Sequence, residues 1–304
     1  TDMRKIRIEH DLLGDREVTG EAYYGVRTLR AKEKVGISGT TISAFSDLVI
    51  ALASVKQAAA HANTELGLLP TELHDQFVVD VFQGGAGTST NMNANEVIAN
   101  LALEQLGHQK GEYQYVNPND HVNFGQSTND VYPTAFRLAL ILRLGSYMDA
   151  LRRLQEAFFA KAREFDRVLK MGRTHLQDAV PMSLGQEFHG WATTIGEEVQ
   201  RIAEVRQFLH EINLGATAIG TTVTAAPGYP ELATKYLSEL TGTTFILAGD
   251  PNHANPAVRG NIRGDIFASP DGLFIDPRGV MWVQTDVSPN VLLKDDHTIY
   301  GNNP

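Results

Sequence analysis

Three short polar segments hold the residues that could do chemistry, and each lies just before or at the start of a predicted helix. They are Thr88-Ser-Thr-Asn-Met-Asn93, Gly125-Gln-Ser-Thr-Asn-Asp130 and Gly172-Arg-Thr-His-Leu-Gln-Asp178. Small hydroxyl and amide side chains cap helix N-termini, where unpaired N–H groups and the helix dipole attract anions. Taken singly, each segment could be an ordinary helix cap. If the three meet in the fold, they form a pocket of neutral hydrogen-bond donors that suits a small carboxylate and can stabilise developing charge.

The ionisable side chains in these segments have both structural and chemical interpretations. His175 lies between Thr174 and Gln177 in a polar turn, which suits a binding or catalytic histidine as well as a structural one. Asp130 and Asp178 are expected to cap helices or orient neighbours rather than to react. Residues 1–250 contain no metal-ligand spacing, phosphate loop or nucleophile elbow, so the sequence predicts a site without a metal.

The composition limits the classes of function. The chain has 304 residues, a net charge of −10 and no cysteine, and its isoelectric point is about 5.5. This charge argues against a nucleic-acid or anionic-membrane surface, and the absence of cysteine excludes disulfides and thiolate catalysis. The sequence has no long apolar run and no signal peptide. We therefore expect a cytoplasmic protein that binds neither nucleic acid nor membrane.

Helical periodicity dominates the chain up to about residue 248. Shorter helices are predicted over residues 26–35, 45–66, 70–81 and 92–106. Two longer amphipathic patterns cover residues 133–170 and 183–212, and the second opens on Ser183 and Gln186 at the spacing of a capping box. Apolar residues recur every seven positions in both, which indicates a near-parallel bundle shared between chains. The residues expected at its seams include Phe158, Phe165, Ile195 and Ile202.

The pattern changes after residue 248. Asn, Pro, Gly and Asp are frequent in residues 249–264, and two short β-type runs flank an Asp-Pro-Arg-Gly turn within residues 273–284. The sequence therefore predicts a mainly α fold that ends in a short irregular tail with a β-hairpin. We divide it into an N-terminal domain at residues 1–130, part of a helical bundle at 131–248, and the tail at 249–304.

Four blocks within residues 4 to about 248 resemble the aspartase/fumarase superfamily. They cover residues 87–97, 126–134, 171–181 and 213–220. The Thr88-Ser-Thr90 and Ser127-Thr128 pieces favour the aspartase branch, because a fumarase typically has Thr-Gln-Ser and Ser-Ser at these places. The resemblance implies that residues 1–130 form the N-terminal domain of that family and that the long helices form part of its central bundle.

The resemblance also implies an activity, the conversion of L-aspartate to fumarate and ammonia by a homo-oligomer, tetrameric in the family, without a cofactor. Because a weakly acidic Cβ proton must be removed, hydrogen bonds to the β-carboxylate have to strengthen in the transition state. By motif position, the residues that would face the β-carboxylate and the amino group are Thr88, Ser127, Thr128 and Asn129. Thr174 and His175 would face the other carboxylate.

One part of the family's site has no counterpart in the sequence. The family's catalytic base is a serine on a mobile Gly-Ser-Ser-x-Met-Pro-x-Lys-x-Asn-Pro loop, and no such segment occurs here. The lysine and asparagine of that loop, which help to grip the substrate, are missing with it. We therefore expect a truncated enzyme that represents about the first half of the family's chain, with no assigned catalytic residue and little or no activity.

The tail resembles a different family. Residues 247–273, 276–286 and 300–303 look like an internal piece of PhoX-type alkaline phosphatases, which are metal-dependent β-propellers. Both families could supply residues 245–250, so we expect a chimera joined at that stretch. The aspartates of the tail suit turns better than a metal site in so short a fragment; they are Asp271, Asp276 and Asp286.

Three other functions stay open. Within the superfamily, the chain could be a fumarate hydratase or another lyase, which binding of L-malate would reveal. The tail could belong to a metal-dependent phosphatase, which hydrolysis of a phosphate ester would reveal. A non-catalytic helical oligomerisation module would show neither activity.

Overall fold

The computed structural model of the protein describes residues 6–63, 75–82 and 85–247, together with the backbone of residues 270–275 and 281–285. Helices form most of the described chain, which confirms the prediction of a mainly α fold. The helices are α1 (Val26–Lys34), α2 (Ser46–Asn63), α3 (Thr88–Gln105), α4 (Thr128–Glu164), α5 (Leu184–Val205) and α6 (Tyr229–Thr241). Shorter helical turns cover Ile42–Ala44, Pro118–Val122 and Arg206–His210.

The described strands pair two by two. They are β1 (Ile6–Asp11), β2 (Gly14–Thr19), β3 (Leu169–Thr174), β4 (Gln177–Ser183), β5 (Glu211–Ile212), β6 (Ile246–Leu247), β7 (Pro270–Ile275) and β8 (Met281–Thr285). Strand β5 pairs with β6 in parallel, whereas the other three pairs are antiparallel hairpins.

The chain divides into two compact units. The first comprises residues 1–139 and 210–304, and the second comprises residues 140–209. The division into three domains made from the sequence remains a prediction.

The core of the first unit lies between its helices, with α2 and α6 packed against each other. The fully buried apolar side chains include Leu52, Val55, Val97, Leu103, Leu138 and Leu237. Each large side chain that leaves water contributes roughly 1.5–3 kcal/mol to folding. This core holds the starts of α3 and α4, which carry two of the three polar segments.

Two carboxylates hold the start of α1. Glu96 on α3 accepts hydrogen bonds from the N–H groups of Gly25 and Arg27 at 2.8 and 2.9 Å. Glu9 on β1 accepts a hydrogen bond from the N–H of Val26 at 2.8 Å. Burial raises the pKa of Glu96. These bonds satisfy N–H groups that a helix start leaves free, and they join α1 to α3 and to the β1–β2 hairpin.

The prediction of a helix over residues 70–81 is wrong for the C-terminal part of that range, which the structure describes. Residues 70–74 lie outside the described part of the chain, and residues 77–82 are not helical. The carbonyl of Phe77 accepts a hydrogen bond from the N–H of Ser43 at 3.0 Å. Apolar residues four apart also suit an extended segment whose backbone partners lie elsewhere in the chain, and here those partners decide the conformation.

Within the second unit, aromatic rings join α5 to α4 and to Phe165, the residue that follows α4. The ring of Phe188 on α5 lies 5.8 Å from that of Phe158 and 5.6 Å from that of Phe165. Trp191, one turn further along α5, lies 5.0 Å from Phe188. The heptad seam predicted from the sequence is therefore confirmed for Phe158 and Phe165.

The predicted capping box starts α5. Ser183 Oγ accepts a hydrogen bond from the N–H of Gln186 at 3.0 Å, and Gln186 Oε1 accepts one from the N–H of Ser183 at 2.9 Å. Both long helices are shorter at their C-terminal ends than predicted, since α4 ends at Glu164 and α5 at Val205. The interval between them forms the β3–β4 hairpin, because its backbone groups pair across two strands.

The tail contains the predicted hairpin. Strands β7 and β8 are antiparallel, with Leu273 opposite Val283 in the register. The side chains of the tail aspartates lie outside the described residues. Among the helices that the structure describes, none is long and apolar enough to cross a membrane.

Candidate functional site

The second polar segment forms the turn that starts α4. The N–H of Ser127 donates to Asp130 Oδ1 at 3.0 Å, and the N–H of Asn129 donates to Ser127 Oγ at 3.3 Å. Asp130 is 0% exposed, whereas Ser127, Thr128 and Asn129 are half-buried. Asp130 therefore orients the turn, as predicted, while its three neighbours remain partly accessible.

The loop at residues 213–220 packs against this turn. Thr217 donates from its N–H to Asp130 Oδ2 at 2.8 Å. Asn213 Nδ2 donates to the carbonyl oxygen of Asn129 at 3.1 Å, and Asn129 Nδ2 donates to the carbonyl oxygen of Ala218 at 2.8 Å. Thr217 has a φ of +63°, a left-handed conformation that is unfavourable for a β-branched residue. The fold thus holds the fourth block against the second despite local strain.

A buried lysine is linked to Thr128 through side-chain amides. Lys56 on α2 is 3% exposed, and its Nζ donates to Asn123 Oδ1 at 2.8 Å and to Gln126 Oε1 at 2.9 Å. Asn91 on α3 donates from Nδ2 to Asn123 Oδ1 at 3.2 Å and to Thr128 Oγ1 at 3.1 Å. These hydrogen bonds connect α2, α3 and the start of α4.

Burial shifts the pKa values of Lys56 and Asp130 towards neutral pH. Loss of hydration lowers the pKa of Lys56 to about 7, against the attraction of the Asp130 carboxylate. Burial raises the pKa of Asp130 to about 6, against the hydrogen bonds from Ser127 and Thr217 and the attraction of Lys56. Perturbed groups of this kind cluster at functional sites in proteins.

Helix α3 begins against the first turns of α4. Gly87 precedes α3 with a φ of +89°, and a Cβ at this position would lie 2.7 Å from the ring of Tyr132. Only glycine permits this approach. Thr88, the first residue of α3, is exposed. Together with the bond from Asn91 to Thr128, this contact brings the N-termini of two long helices together, and their dipoles favour an anion.

Thr174 and His175 belong to the second unit, at the tip of the β3–β4 hairpin, and both side chains are exposed. His175 and Leu176 have φ values of +50° and +60°, the pair of left-handed residues that a tight two-residue hairpin turn requires. Arg173 Nε lies 3.1 Å from Asp178 Oδ1 across the hairpin. Asp178 thus pairs with Arg173 rather than capping a helix.

Sequence reasoning missed Lys56 and Asn123, and it assigned no role to Gln126 within the second polar segment. Lys56 follows Leu52 by four positions on α2, so a charged residue falls on the apolar face of that helix. This break in the pattern could have identified it, because a buried ammonium requires polar partners. Asn123 and Gln126 lie in a polar interval without periodicity, and only the tertiary structure distinguishes them from their neighbours.

In the first unit, the part of the site that the structure describes consists of hydrogen-bonding side chains. Its partly accessible side chains are those of Ser127, Thr128 and Asn129, whereas Lys56 and Asp130 are buried. Within residues 6–63, 75–82 and 85–247, no three His, Asp or Glu side chains are arranged to hold a metal ion. The arrangement can bind a small polar anion through directional hydrogen bonds.

Two family models match the sequence. The model described as lyase matches residues 14–254, and that described as alkaline phosphatase PhoX matches residues 220–302. The two matches overlap at residues 220–254.

Individual proteins are similar to most of the chain. Aspartate ammonia-lyase of Pseudomonas aeruginosa is 54% identical over 261 residues, which cover 80% of this chain and 55% of that protein. The chain thus spans about half the length of the curated relatives it matches.

Solved structures resemble the fold as well. The cobalt-bound fumarate lyase:delta crystallin of Brucella melitensis is 51% identical, with a TM-score of 0.73, over 81% of this chain and 57% of that one. Class II fumarase of Schistosoma mansoni is 34% identical, with a TM-score of 0.67, over 78% of this chain and 53% of that one. Since the lyase match extends over most of the 304 residues, the chain belongs to the lyase family.

Proposed function

We propose that this chain carries the dicarboxylate-binding part of an aspartate ammonia-lyase site, which converts L-aspartate to fumarate and ammonia. The observation that carries the proposal is the direction of the hydrogen bond at Thr128. Its Oγ1 accepts from Asn91 Nδ2 at 3.1 Å, so the hydroxyl proton is available to a ligand. A carboxylate oxygen is the natural acceptor for this half-buried donor.

Asn129 offers the opposite polarity one residue later. Its Nδ2 donates to the carbonyl oxygen of Ala218 at 2.8 Å, which leaves Oδ1 to accept a hydrogen bond from a ligand. An ammonium group supplies such a donor. A donor and an acceptor on neighbouring residues therefore suit a substrate that has a carboxylate and an amino group on adjacent carbons, as L-aspartate has.

The remaining proposed contacts follow the family's motif positions. We assign Thr88 and Ser127 to the β-carboxylate and amino group with Thr128 and Asn129, and we assign Thr174 and His175 to the second carboxylate. The meeting of two helix N-termini beside Thr88 and Thr128 supports the first group, because both dipoles favour a negative charge. The exposure of Thr174 and His175 at a hairpin tip suits residues that serve a site shared between subunits.

For the reaction to be accelerated, the hydrogen-bond donors must bind the transition state more tightly than they bind the substrate. When a base takes the Cβ proton, the electron pair of that bond moves onto the β-carboxylate, which becomes a dianion. The pair then returns to form the Cα–Cβ double bond, and ammonia leaves with the electrons of the C–N bond. Hydrogen bonds from Thr128 and Ser127 strengthen as the negative charge grows, which is the requirement for catalysis by differential binding.

The 304-residue polypeptide is proposed to bind a dicarboxylate but to convert it poorly, because the family's serine loop is not in its sequence. We further propose a cytoplasmic homo-oligomer, tetrameric as the family resemblance implies. A second candidate, fumarate hydratase, is supported by the likeness to the Schistosoma mansoni class II fumarase. The Ser127-Thr128 pair favours the ammonia-lyase.

Calorimetric titration of the full chain with fumarate, L-aspartate and L-malate tests the proposal. We expect fumarate and L-aspartate to bind more tightly than L-malate. Thr128→Val should weaken fumarate binding by about 10- to 100-fold, since a hydrogen bond to a charged group contributes about 1.5–3 kcal/mol. The control is Thr193→Val, which removes an exposed hydroxyl bonded to its own helix. Tighter binding of L-malate would overturn the assignment.

A further inference from the structure

The carbonyl oxygen of the Asn123 side chain accepts an unusual number of hydrogen bonds. Lys56 Nζ donates to it at 2.8 Å, and the Nδ2 groups of Asn91 and Asn95 donate to it at 3.2 Å each. Lys56 also donates to Gln126 Oε1 at 2.9 Å. In its ammonium form Lys56 has donors and no acceptor, so in that form both amides turn their oxygens towards it. Lys56 therefore favours one orientation of the Asn123 amide, the one in which Asn123 Nδ2 also donates to the backbone carbonyl oxygen of Gln126 at 3.3 Å.

The orientation of Asn123 determines that of Asn91. Asn91 Nδ2 has two hydrogens, and it donates to two acceptors, Asn123 Oδ1 and Thr128 Oγ1. Its own Oδ1 is buried and has no hydrogen-bond partner among the described residues, which is unfavourable by about 1–3 kcal/mol. Flipping the amide would instead bring its oxygen against Asn123 Oδ1. The lysine-held carbonyl therefore keeps Asn91 as a donor towards Thr128.

We propose that Lys56 is a positioning residue: through Asn123 and Asn91, it makes Thr128 Oγ1 an acceptor on its inner side, so that the hydroxyl proton is donated to the bound carboxylate. This inference rests on the proposed function for the identity of the ligand. Lys56 does not touch the ligand, and its contribution consists of setting the polarity of a hydroxyl that does. Without it, the Asn123 and Asn91 amides can flip, together with Asn95, which also donates to Asn123 Oδ1. The flip gives up the long bond of 3.3 Å from Asn123 Nδ2 to the carbonyl oxygen of Gln126, and Thr128 then donates inwards to Asn91.

A double-mutant cycle in the full chain tests this role. Lys56→Met removes the donors and keeps the apolar stem, and it should weaken fumarate binding by about 10-fold. On the Thr128→Val background the same change should alter the affinity by less than about twofold, because the hydroxyl it orients is gone. A merely structural lysine would weaken both backgrounds equally, and equal losses would overturn the proposal. The matched control is Lys235→Met on α6, an exposed lysine 3.7 Å from Glu239, which should leave the affinity unchanged.

Asn91→Asp provides a second route if Lys56→Met does not fold, as judged by circular dichroism and thermal melting. This change keeps Lys56 and replaces the donor beside Thr128 Oγ1 with an acceptor, so that the Thr128 hydroxyl donates inwards. It should weaken fumarate binding by at least about 10-fold, and the loss should be clearly smaller on the Thr128→Val background. A normal fumarate affinity in the folded Asn91→Asp protein would contradict the proposal.

A measurement without ligand separates this inference from the proposed function. Hydrogen exchange of the Asn91 side-chain amide, labelled with 15N and assigned by its loss in Asn91→Leu, should be slow in the unsubstituted chain and much faster in Lys56→Met. Lys235→Met should leave it slow. If the chain binds no dicarboxylate, the proposed function fails while this result still decides the hydrogen-bond chain. Slow exchange that persists in Lys56→Met would overturn the role of Lys56.

Discussion

Asn213 donates from Nδ2 to the backbone carbonyl oxygen of Asn129 at 3.1 Å, a carbonyl that lacks its usual donor within α4. That donor would be the N–H of residue 133, four positions further along, but residue 133 is a proline inside the helix. A side chain from the 213–220 loop therefore supplies the hydrogen bond that the proline removes. This bond ties the loop to the helix start that carries Thr128.

Asn213→Ala should destabilise the first unit by about 1–2 kcal/mol, because it leaves the carbonyl of Asn129 without a partner. Urea unfolding followed by circular dichroism measures this loss. On the Pro133→Ala background the cost should fall to less than half, since the new N–H of residue 133 can donate to the same carbonyl. Equal costs on the two backgrounds would show that Asn213 acts through some other contact.

The buried lysine should make stability rise with pH above neutrality. The pKa of Lys56 is lowered from 10.5 to about 7 by burial, so between these values the unfolded chain binds a proton that the folded chain has released. The free energy of unfolding therefore increases between about pH 7 and pH 10, by at most about 1.4 kcal/mol per pH unit. The measurement is the free energy of unfolding of the wild-type chain minus that of Lys56→Met at each pH. Lys235→Met serves as the control. A difference that stays flat from pH 7 to pH 9 would contradict the lowered pKa.

Asp130 should have the opposite effect at lower pH. Burial raises its pKa from 3.8 to about 6, so between these values the folded chain holds a proton that the unfolded chain has lost. The stabilisation that the protonated Asp130 gives the folded chain is complete below about pH 4 and is lost as the pH rises through 6. Relative to Asp130→Asn, the wild-type chain should lose stability between pH 4 and pH 6. A difference that stays flat or rises over that interval would mean that Asp130 is ionised in the folded chain throughout.

The second unit should mediate self-association. Tyr147 and Leu154, seven residues apart on α4, are 50% and 43% exposed, and Trp191 on α5 is 46% exposed. Large apolar side chains exposed at heptad spacing favour contact with another helix. Light scattering at micromolar concentration should therefore show an oligomer, and Tyr147→Glu with Leu154→Glu should reduce it. Arg153→Glu, an exposed charge change on the same helix, is the control. A monomer without dye-detectable apolar surface would refute this expectation.

Turnover by the 304-residue polypeptide should be slow. Loss of a general base costs about two to four orders of magnitude in rate, and the family's serine loop is absent from the sequence. Starting from about 10 per second for a typical enzyme, fumarate formation from L-aspartate should stay below about 0.1 per second. Turnover near one per second would mean that another residue acts as the base. Hydrolysis of a phosphate ester with calcium present would show that residues 220–302 are more than a fragment of the PhoX family.

Local patterns were sufficient to predict several elements. The heptad spacing predicted that Phe158 and Phe165 line an inter-helix seam, and both rings lie beside Phe188 of α5. Ser183 forms the predicted capping box with Gln186. These features depend on residues three to seven positions apart on one helix, so their physical cause lies within the sequence window that was read. The polar character of residues 125–130 likewise indicated a helix start with accessible hydroxyls.

Tertiary structure decided the features whose partners are distant in the chain. Residues 77–82 have apolar spacing that suits a helix, yet the hydrogen bond from Ser43 to Phe77 holds them in another conformation. Lys56 is separated from Asn123 and Gln126 by 67 and 70 positions, so no local pattern joins them. The sequence by itself determined which residues can donate and accept around Thr128. Only the fold decided the direction of those hydrogen bonds, because each amide takes its orientation from the group packed against it.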